Sequence, residues 1–241
     1  MGITIWRAVR SAAGLMVGAA LFAAAAEAAP STIYTNDFDG NINCGVTCGP
    51  IGGSDAALGT PAPFSGNERV TNGLTPISVT LSNLPAHDSV SLSFLAHLFN
   101  TWDGINCCTD VFAVSIDGTP VFQAIVAGGG GGTTDYDGDG VAPFTAIPAA
   151  VLLPTVSPLG LDLGNEPKLQ SIPHTASSLT VTWFCNNTFA GCQGDDSMGI
   201  DNLAVSINAV TTPPSVPEPA ISALVGLGLI GLAARRRKQT N

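Results

Sequence analysis

Ser89-Val90-Ser91-Leu92-Ser93-Phe94-Leu95-Ala96-His97-Leu98-Phe99 decides the fold class. Its first half alternates serine with a large apolar residue, the period of a strand with one dry and one wet face. The same signal returns on either side. Residues 76–84 contain Ile77-Ser78-Val79-Thr80-Leu81, and residues 111–116 run into Asp117-Gly118, a tight-turn dipeptide that sends 120–126 back as a return strand. Residues 178–184 and 203–207 complete the strand-like set, with Gly, Pro and Asn between the runs. Between the chain ends nothing has a helical period. The expected fold is mainly β, an antiparallel, jelly-roll-like β-sandwich with long loops.

The two ends do not belong to that fold. Arg7 and Arg10 precede an apolar stretch at 12–26, and Ala26-Glu27-Ala28 fits a small-x-small cleavage site. Residues 1–28 therefore read as a secretory signal peptide with a signal helix. At the other end, after a linker at 211–215, Val216-Pro217-Glu218-Pro219 leads into an uncharged apolar run at 220–234. Arg235, Arg236, Arg237 and Lys238 then stop it. The prolines keep the backbone out of the helix, and the basic cluster holds the end on the cytoplasmic side. Residues 216–241 resemble the PEP-CTERM sorting signal of Gram-negative bacteria, which membrane-embedded proteases called exosortases read. The resemblance implies a short C-terminal transmembrane helix, transient residence in the inner membrane, and then release to the cell surface or extracellular space. The run spans roughly 22 Å at helical rise, short of the ~30 Å hydrocarbon core. A marginal anchor suits a segment that is held and then removed.

What remains, residues 29–210, is long enough for one domain. The whole chain carries −10. The exported part holds sixteen carboxylates against only Arg69 and Lys168, about −14. Nucleic acid is excluded as a partner by like charge. Such a body needs cations or wide spacing of its carboxylates.

All six cysteines fall in this part: Cys44, Cys48, Cys107, Cys108, Cys185 and Cys192. In an oxidising compartment an even number reads as three disulfides. Cys185 and Cys192 are expected to close a short loop. Adjacent Cys107 and Cys108 would strain a mutual bridge, which makes Cys44 and Cys48 their expected partners. Zinc is the competing reading, against which stands the lack of paired C-x-x-C units and of a nearby histidine.

The sharpest local motif is Asp135-Tyr136-Asp137-Gly138-Asp139-Gly140. Asp135, Asp137 and Asp139 set three carboxylates on one side of a curved loop, and a hard divalent cation such as Ca²⁺ removes their repulsion. Position twelve of an EF-hand loop would be Ala146, which cannot ligate, so the motif is not an EF-hand. A mobile polar loop is the competing reading. A second Ca²⁺ set would form if the first and last strands lie side by side, bringing Asp37 or Asp39 near Asp201. Turn and cap duties explain those residues too.

Asn100-Thr101-Trp102-Asp103-Gly104, followed by 110–118, resembles a pattern of exported domains that carry this tail, as does Asp196-Ser197-Met198-Gly199-Ile200-Asp201-Asn202. The resemblance implies a lectin-like β-sandwich without a known reaction. Trp102, with Asp103 and Asn100, forms the candidate ligand-binding set, since a loop indole beside polar groups can stack on a sugar ring; a tryptophan folded over the end of the sandwich is the competing reading. Trp183 alternates with Val181 and reads as core. His87, His97 and His174 are scattered, and no nucleophile elbow, H-E-x-x-H or phosphate loop occurs. The expectation is a non-catalytic surface or matrix protein, stiffened by disulfides and Ca²⁺, with extracellular polysaccharide as the partner. A purely structural matrix protein and a secreted polysaccharide hydrolase are the alternatives.

Overall fold

The computed structural model describes residues 29–72, 75–106, 108–138, 140–186 and 196–210. The signal helix, the sorting motif, the C-terminal helix, Cys107, Asp139 and Cys192 lie outside the described residues. All of the described residues fall in one compact unit, Ala28–Thr212.

Fourteen strands follow in chain order: β1 (Ser31–Asn36), β2 (Ile42–Cys44), β3 (Thr47–Cys48), β4 (Ser54–Ala56), β5 (Glu68–Asn72), β6 (Ile77–Ser82) and β7 (His87–Asn100). Then come β8 (Val111–Ile116), β9 (Thr119–Ile125), β10 (Leu152–Leu153), β11 (Leu159–Asp162), β12 (Ile172–Pro173), β13 (Ser178–Cys185) and β14 (Asp196–Ala209). Among the described residues the one helical element is a 3-10 turn, Pro167–Leu169, capped by the Glu166 carboxylate.

These strands form two antiparallel sheets. The larger is built on β7 and β14, paired from Asn100↔Asp196 to His87↔Ala209. Beyond β14 lie β1, which continues to β2, and β5, which pairs with β4; beyond β7 lie β11 and β12. The smaller sheet has the order β3-β6-β13-β8-β9. The first and last strands are thus neighbours, from Ser31↔Ile207 to Asn36↔Leu203.

The core lies between the sheets. Val90, Leu92 and Phe94 of β7 face inward and are 0–1% exposed, as their alternation with serine predicts. Phe94 meets Trp183 edge-on at 5.5 Å, and Trp102, Phe112, Phe122 and Tyr136 continue the aromatic chain toward one end. Full burial of each such side chain contributes about 2–3 kcal/mol. Asp117 and Gly118 both have positive φ, 49° and 79°. That is the backbone twist a two-residue hairpin between β8 and β9 requires.

The disulfide pattern corrects the expectation. Cys44 bonds Cys48, Cα to Cα 6.4 Å, rather than Cys107 or Cys108. The physical reason is the path of the chain. β2 belongs to the larger sheet and β3 to the smaller, so Gly45-Val46 is a crossing between sheets that brings both sulfurs together. Closing so short a ring contributes about 2 kcal/mol by loop entropy, and it staples the two edges. Cys185 is disulfide-bonded as well.

Candidate functional site

The far halves of β7 and β14 carry a second, outward-facing layer. Val156, Leu95 and Phe64 pack there as a small separate cluster. Loop residues 57–67 and 153–158 roof the sheet at this place, which traps polar groups beneath them. Glu68 is 1% exposed, His97 6% and Asp201 0%. β5 sets Glu68 on this face, β7 supplies His97, and β14 supplies Asp201 just before a bulge at Asn202 (φ 51°).

Glycines make the room. Gly199 and Gly160 flank His97 on the two neighbouring strands. A Cβ at Gly199 would overlap the Glu68 carboxylate, and one at Gly160 would overlap Val156. Glu68 accepts a hydrogen bond from the Thr60 hydroxyl. His97 Nδ1 lies 3.2 Å from Glu68 Oε2, while Nε2 lies 3.1 Å from the Ser157 carbonyl oxygen. Because a carbonyl can only accept, Nε2 carries a hydrogen. Nδ1 then faces the Glu68 carboxylate, with the Thr60 hydroxyl 3.3 Å away.

Asp201 sits beside this pair. Its Oδ2 accepts from Ser65 N at 3.0 Å and its Oδ1 from Asn202 N at 2.6 Å. Burial pushes its carboxyl up to about 6, and the negative charges of Glu68 and Asp39 push the same way against those two N–H donors. Asp39 holds the same loop two residues on, accepting from Asn67 N at 2.7 Å. Gly66 (φ 58°) lets the loop backbone pass so close to Asp39 that a side chain there would overlap the carboxylate. Among the described residues no lysine or arginine answers this charge. Arg69 is committed to Asp55 and to the Gly52 and Ile51 carbonyls, and Lys168 to the Asp137 carbonyl and the Phe122 ring. Asp201 thus feels two acidic neighbours, buried Glu68 and exposed Asp39, while Glu68 and His97 touch directly.

Asp37 is not part of it. Its carboxylate turns into its own loop, accepting from Asp39 N, Asn41 N and the Asn41 amide, and the last of these chiefly holds it below the usual carboxylate range. Asp201 and Asp39 both accept from the 65–67 loop, and the sequence reading did not single out Glu68 beside them. The signal for Glu68 was its rarity, one of two glutamates in the exported part.

The aspartate-rich loop is seen through Asp135 and Asp137. Asp135 is fully buried, and its carboxylate accepts from Gly140 N (3.0 Å) and Thr145 N (2.9 Å). Its backbone pairs with Ile125, so the loop caps the end of β9. Asp137 accepts from the Thr145 hydroxyl at 2.7 Å. An open cleft of about 240 Å³ lies alongside, lined by Pro120, Val121, Phe122, Gln123, Asp137 and Lys168. Nearby, Tyr136 donates to Glu166 at 2.7 Å, and burial together with that carboxylate raises its phenol.

Trp102 requires a correction. The indole is 0% exposed and its Nε1 donates to the Ser197 carbonyl at 2.7 Å. It presents no face to a sugar ring, because the 128–130 backbone folds against it. Asp103 ties the same loop, accepting from Gly131 N, and Asn100 donates to Ser197 Oγ at 3.0 Å. These three residues serve as an end plug of the sandwich. Asp110 and Asp196 lie beside Cys185 there, with ligand atoms within 4.8 Å of one another, but that sulfur is in a disulfide and is no thiolate ligand.

Residues 215–238 match the model of the PEP-CTERM protein-sorting motif. The match bears out the reading of the tail as a sorting signal. The structure is similar to the crystal structure of the CBM36-1 domain of a multidomain xylanase from the hindgut metagenome of Trinervitermes trinervoides. That likeness has 12% identity and a TM-score of 0.32, covering 73% of this chain and 96% of that one. It is too loose to transfer anything to this chain. No curated protein matches the chain.

Proposed function

We propose that this chain is an exported, non-catalytic surface or extracellular-matrix protein whose C-terminal signal is cut by an exosortase-type membrane protease. One observation carries the reading: the sorting motif at 215–238 directly follows a disulfide-bonded body of two antiparallel sheets. Disulfides form and persist in oxidising compartments. The tail holds the chain in the inner membrane, and cleavage beside Pro217-Glu218-Pro219 frees the body.

Ca²⁺ is proposed to stabilise that body. Asp39 and Asp201 would draw it to the junction of the first and last strands, with Glu68 adding its charge nearby. Their mutual repulsion and the lack of a lysine or arginine partner are the supporting facts. Asp135, Asp137 and Asp139 are the second proposed set, with Asp135 already ordered by its two amide donors. With Trp102 buried, contact with extracellular polysaccharide falls to the cleft of Gln123, Asp137 and Lys168, whose amide, carboxylate and ammonium suit sugar hydroxyls.

The test is intact-mass measurement of the protein recovered from its native host, beside the Glu218→Ala variant. The parent should lose both termini, and the variant should keep residues 220–241. Identical processing of the two would overturn the sorting reading.

A further inference from the structure

Two of the three histidines, 87 residues apart in sequence, meet at the end of the sandwich where β14 finishes. His87 Nε2 lies 2.7 Å from His174 Nδ1. The ring centres are 5.0 Å apart and the planes differ by only 15°. That separation equals the hydrogen bond plus the two ring radii, so the rings lie end to end in nearly one plane. The outer nitrogens are engaged too: His87 Nδ1 with the Pro85 carbonyl at 2.6 Å, and His174 Nε2 with Asp117 Oδ2 at 3.0 Å. Both rings are buried, at 2% and 9% exposure.

Hydrogen counting then decides the charge. The Pro85 carbonyl only accepts, so His87 Nδ1 carries a hydrogen. The Asp117 carboxylate only accepts when ionised, so His174 Nε2 carries one. A third lies between the rings. Two neutral imidazoles own two such hydrogens, and two imidazolium ions own four. The arrangement fits three, with the cation on His174 against Asp117.

The chain of contacts also crosses the molecule. His87 opens β7 and His174 follows β12, both of the larger sheet, while Asp117 is in the β8–β9 turn of the smaller sheet, where its other oxygen accepts from Thr180 N at 2.8 Å. His174 N donates to Asp88 O. The terminal strand is beside it: Ala209 pairs with His87, and Val210 N donates to Ala86 O. The sorting motif begins within a few residues of this point.

We propose that His87 and His174 share one proton beyond neutrality and act as an acid-sensitive clasp, joining the two sheets where the terminal strand leaves the body. The charged groups of the segments packed on the pair are Asp117 and Asp88. The end of β14 brings Ala209 beside His87, and it does not titrate. On acidification a second proton places two imidazolium ions head to head and breaks the bond between them. The sign follows. The closed clasp holds one extra proton and the open one holds two below the ordinary histidine range of ~6.5, so closing is favoured as pH rises through that range. Well above it the open pair holds none, and closing weakens again. The clasp is tightest between these limits.

The inference rests on the geometry of the body and not on the tail reading. Its test uses the full-length chain in detergent micelles. Histidine ¹⁵N spectra at neutral pH should show one neutral ring protonated at Nδ1, His87, and one cation, His174. Amide hydrogen exchange, corrected for its intrinsic rate, should quicken at 86–89, 174 and 207–210 by about tenfold per pH unit on acidification, one proton being taken up per opening. Residues 92–95 should not follow. His87→Gln lets the glutamine amide donate to His174 Nδ1, so the extra proton is no longer needed and the cationic signal at neutral pH should disappear. A cation persisting on His174 in the variant, or two neutral rings in the parent at neutral pH, would overturn the proposal. Should His87→Gln fail to fold, Asp117→Asn keeps both rings and removes the counter-charge. Its cationic signal should disappear, and a persisting cation would overturn the clasp.

Discussion

The two halves of the β7–β14 pair use the same strands and differ only in what lies over their outer face. In the half where Val90, Leu92 and Phe94 meet Leu203, Val205 and Ile207, the outward residues Ser91, Ser93, Ala204 and Ser206 stay half-exposed. In the other half the outward residues Leu95, His97, Gly199 and Asp201 are buried beneath loops. One-sided strands alternate because one face meets water. Strands covered on both faces do not, and any polar group in them must find a partner. The simple half holds the sheets together. The covered half stores buried acidic groups beneath its loops.

The largest test of this contrast is a matched pair of valine substitutions. Gly199→Val forces a side chain into the Glu68 carboxylate, separating it from His97 inside the roofed layer. Overpacking and a buried carboxylate parted from its hydrogen-bond partner together cost about 3–5 kcal/mol, roughly a 10 °C fall in melting temperature for a domain of this size. Ala204→Val makes a comparable change on the half-exposed side of the same strand and should stay within about 0.5 kcal/mol. Thermal melts followed by circular dichroism compare them directly. Equal losses would mean that the two halves do not differ as described.

The contrast also explains what could be read without coordinates. β6, β7, β8, β9 and β13 were visible because each either shows the two-residue period or borders an Asp-Gly turn. The adjacency of β1 and β14 followed from sandwich topology, and Trp183 was placed in the core by its alternation with Val181. The covered layer was invisible for a physical reason: its roof is made of irregular loops, and nothing local in Glu68-Arg69-Val70 announces that its glutamate will be buried. Trp102 looked like a loop indole because its neighbours are polar, yet those neighbours are bound to backbone. His87 and His174 carry no local signal at all, since only the β7–β12 pairing brings them together. The Cys44–Cys48 bridge was not legible because both were assigned as partners of the adjacent Cys107 and Cys108, and nothing local shows that the chain changes sheets between them.

A smaller and more discriminating effect concerns pH. The Asp201 carboxyl is pushed up to about 6, against an ordinary value of 3.8 in the unfolded chain. A raised acid favours the folded state while protonated. Its cost therefore appears as pH climbs from about 4 and is complete above about 6, reaching at most about 3 kcal/mol. In the presence of a chelator the parent should thus lose stability across that window, and Asp201→Asn should lose much less. Bound Ca²⁺ would replace the proton as the answering charge, so added Ca²⁺ should raise the melting temperature of the parent most above pH 6 and that of Asp201→Asn little. Chelator-treated and Ca²⁺-supplemented melts from pH 4 to 8 measure both arms. A Ca²⁺ rise that is the same in both proteins would move the ion away from Asp201.

The smallest effect comes from the simple half. Ser206→Ala removes one hydroxyl from the outer face, which bonds Thr32 Oγ1 at 3.0 Å. Both partners border water, which replaces the bond on either side, so the expected change is about 0.5 kcal/mol or less. In a denaturant melt the midpoint should hold and the slope should not change. The argument is one of solvent access. The same kind of deletion at Thr60, whose hydroxyl bonds buried Glu68, leaves a carboxylate short of a donor beneath its roof and should cost at least 1 kcal/mol more. If Ser206→Ala proved as costly as Thr60→Val, water would not be serving the open face, and the division of the strand pair into a simple and a covered half would fail.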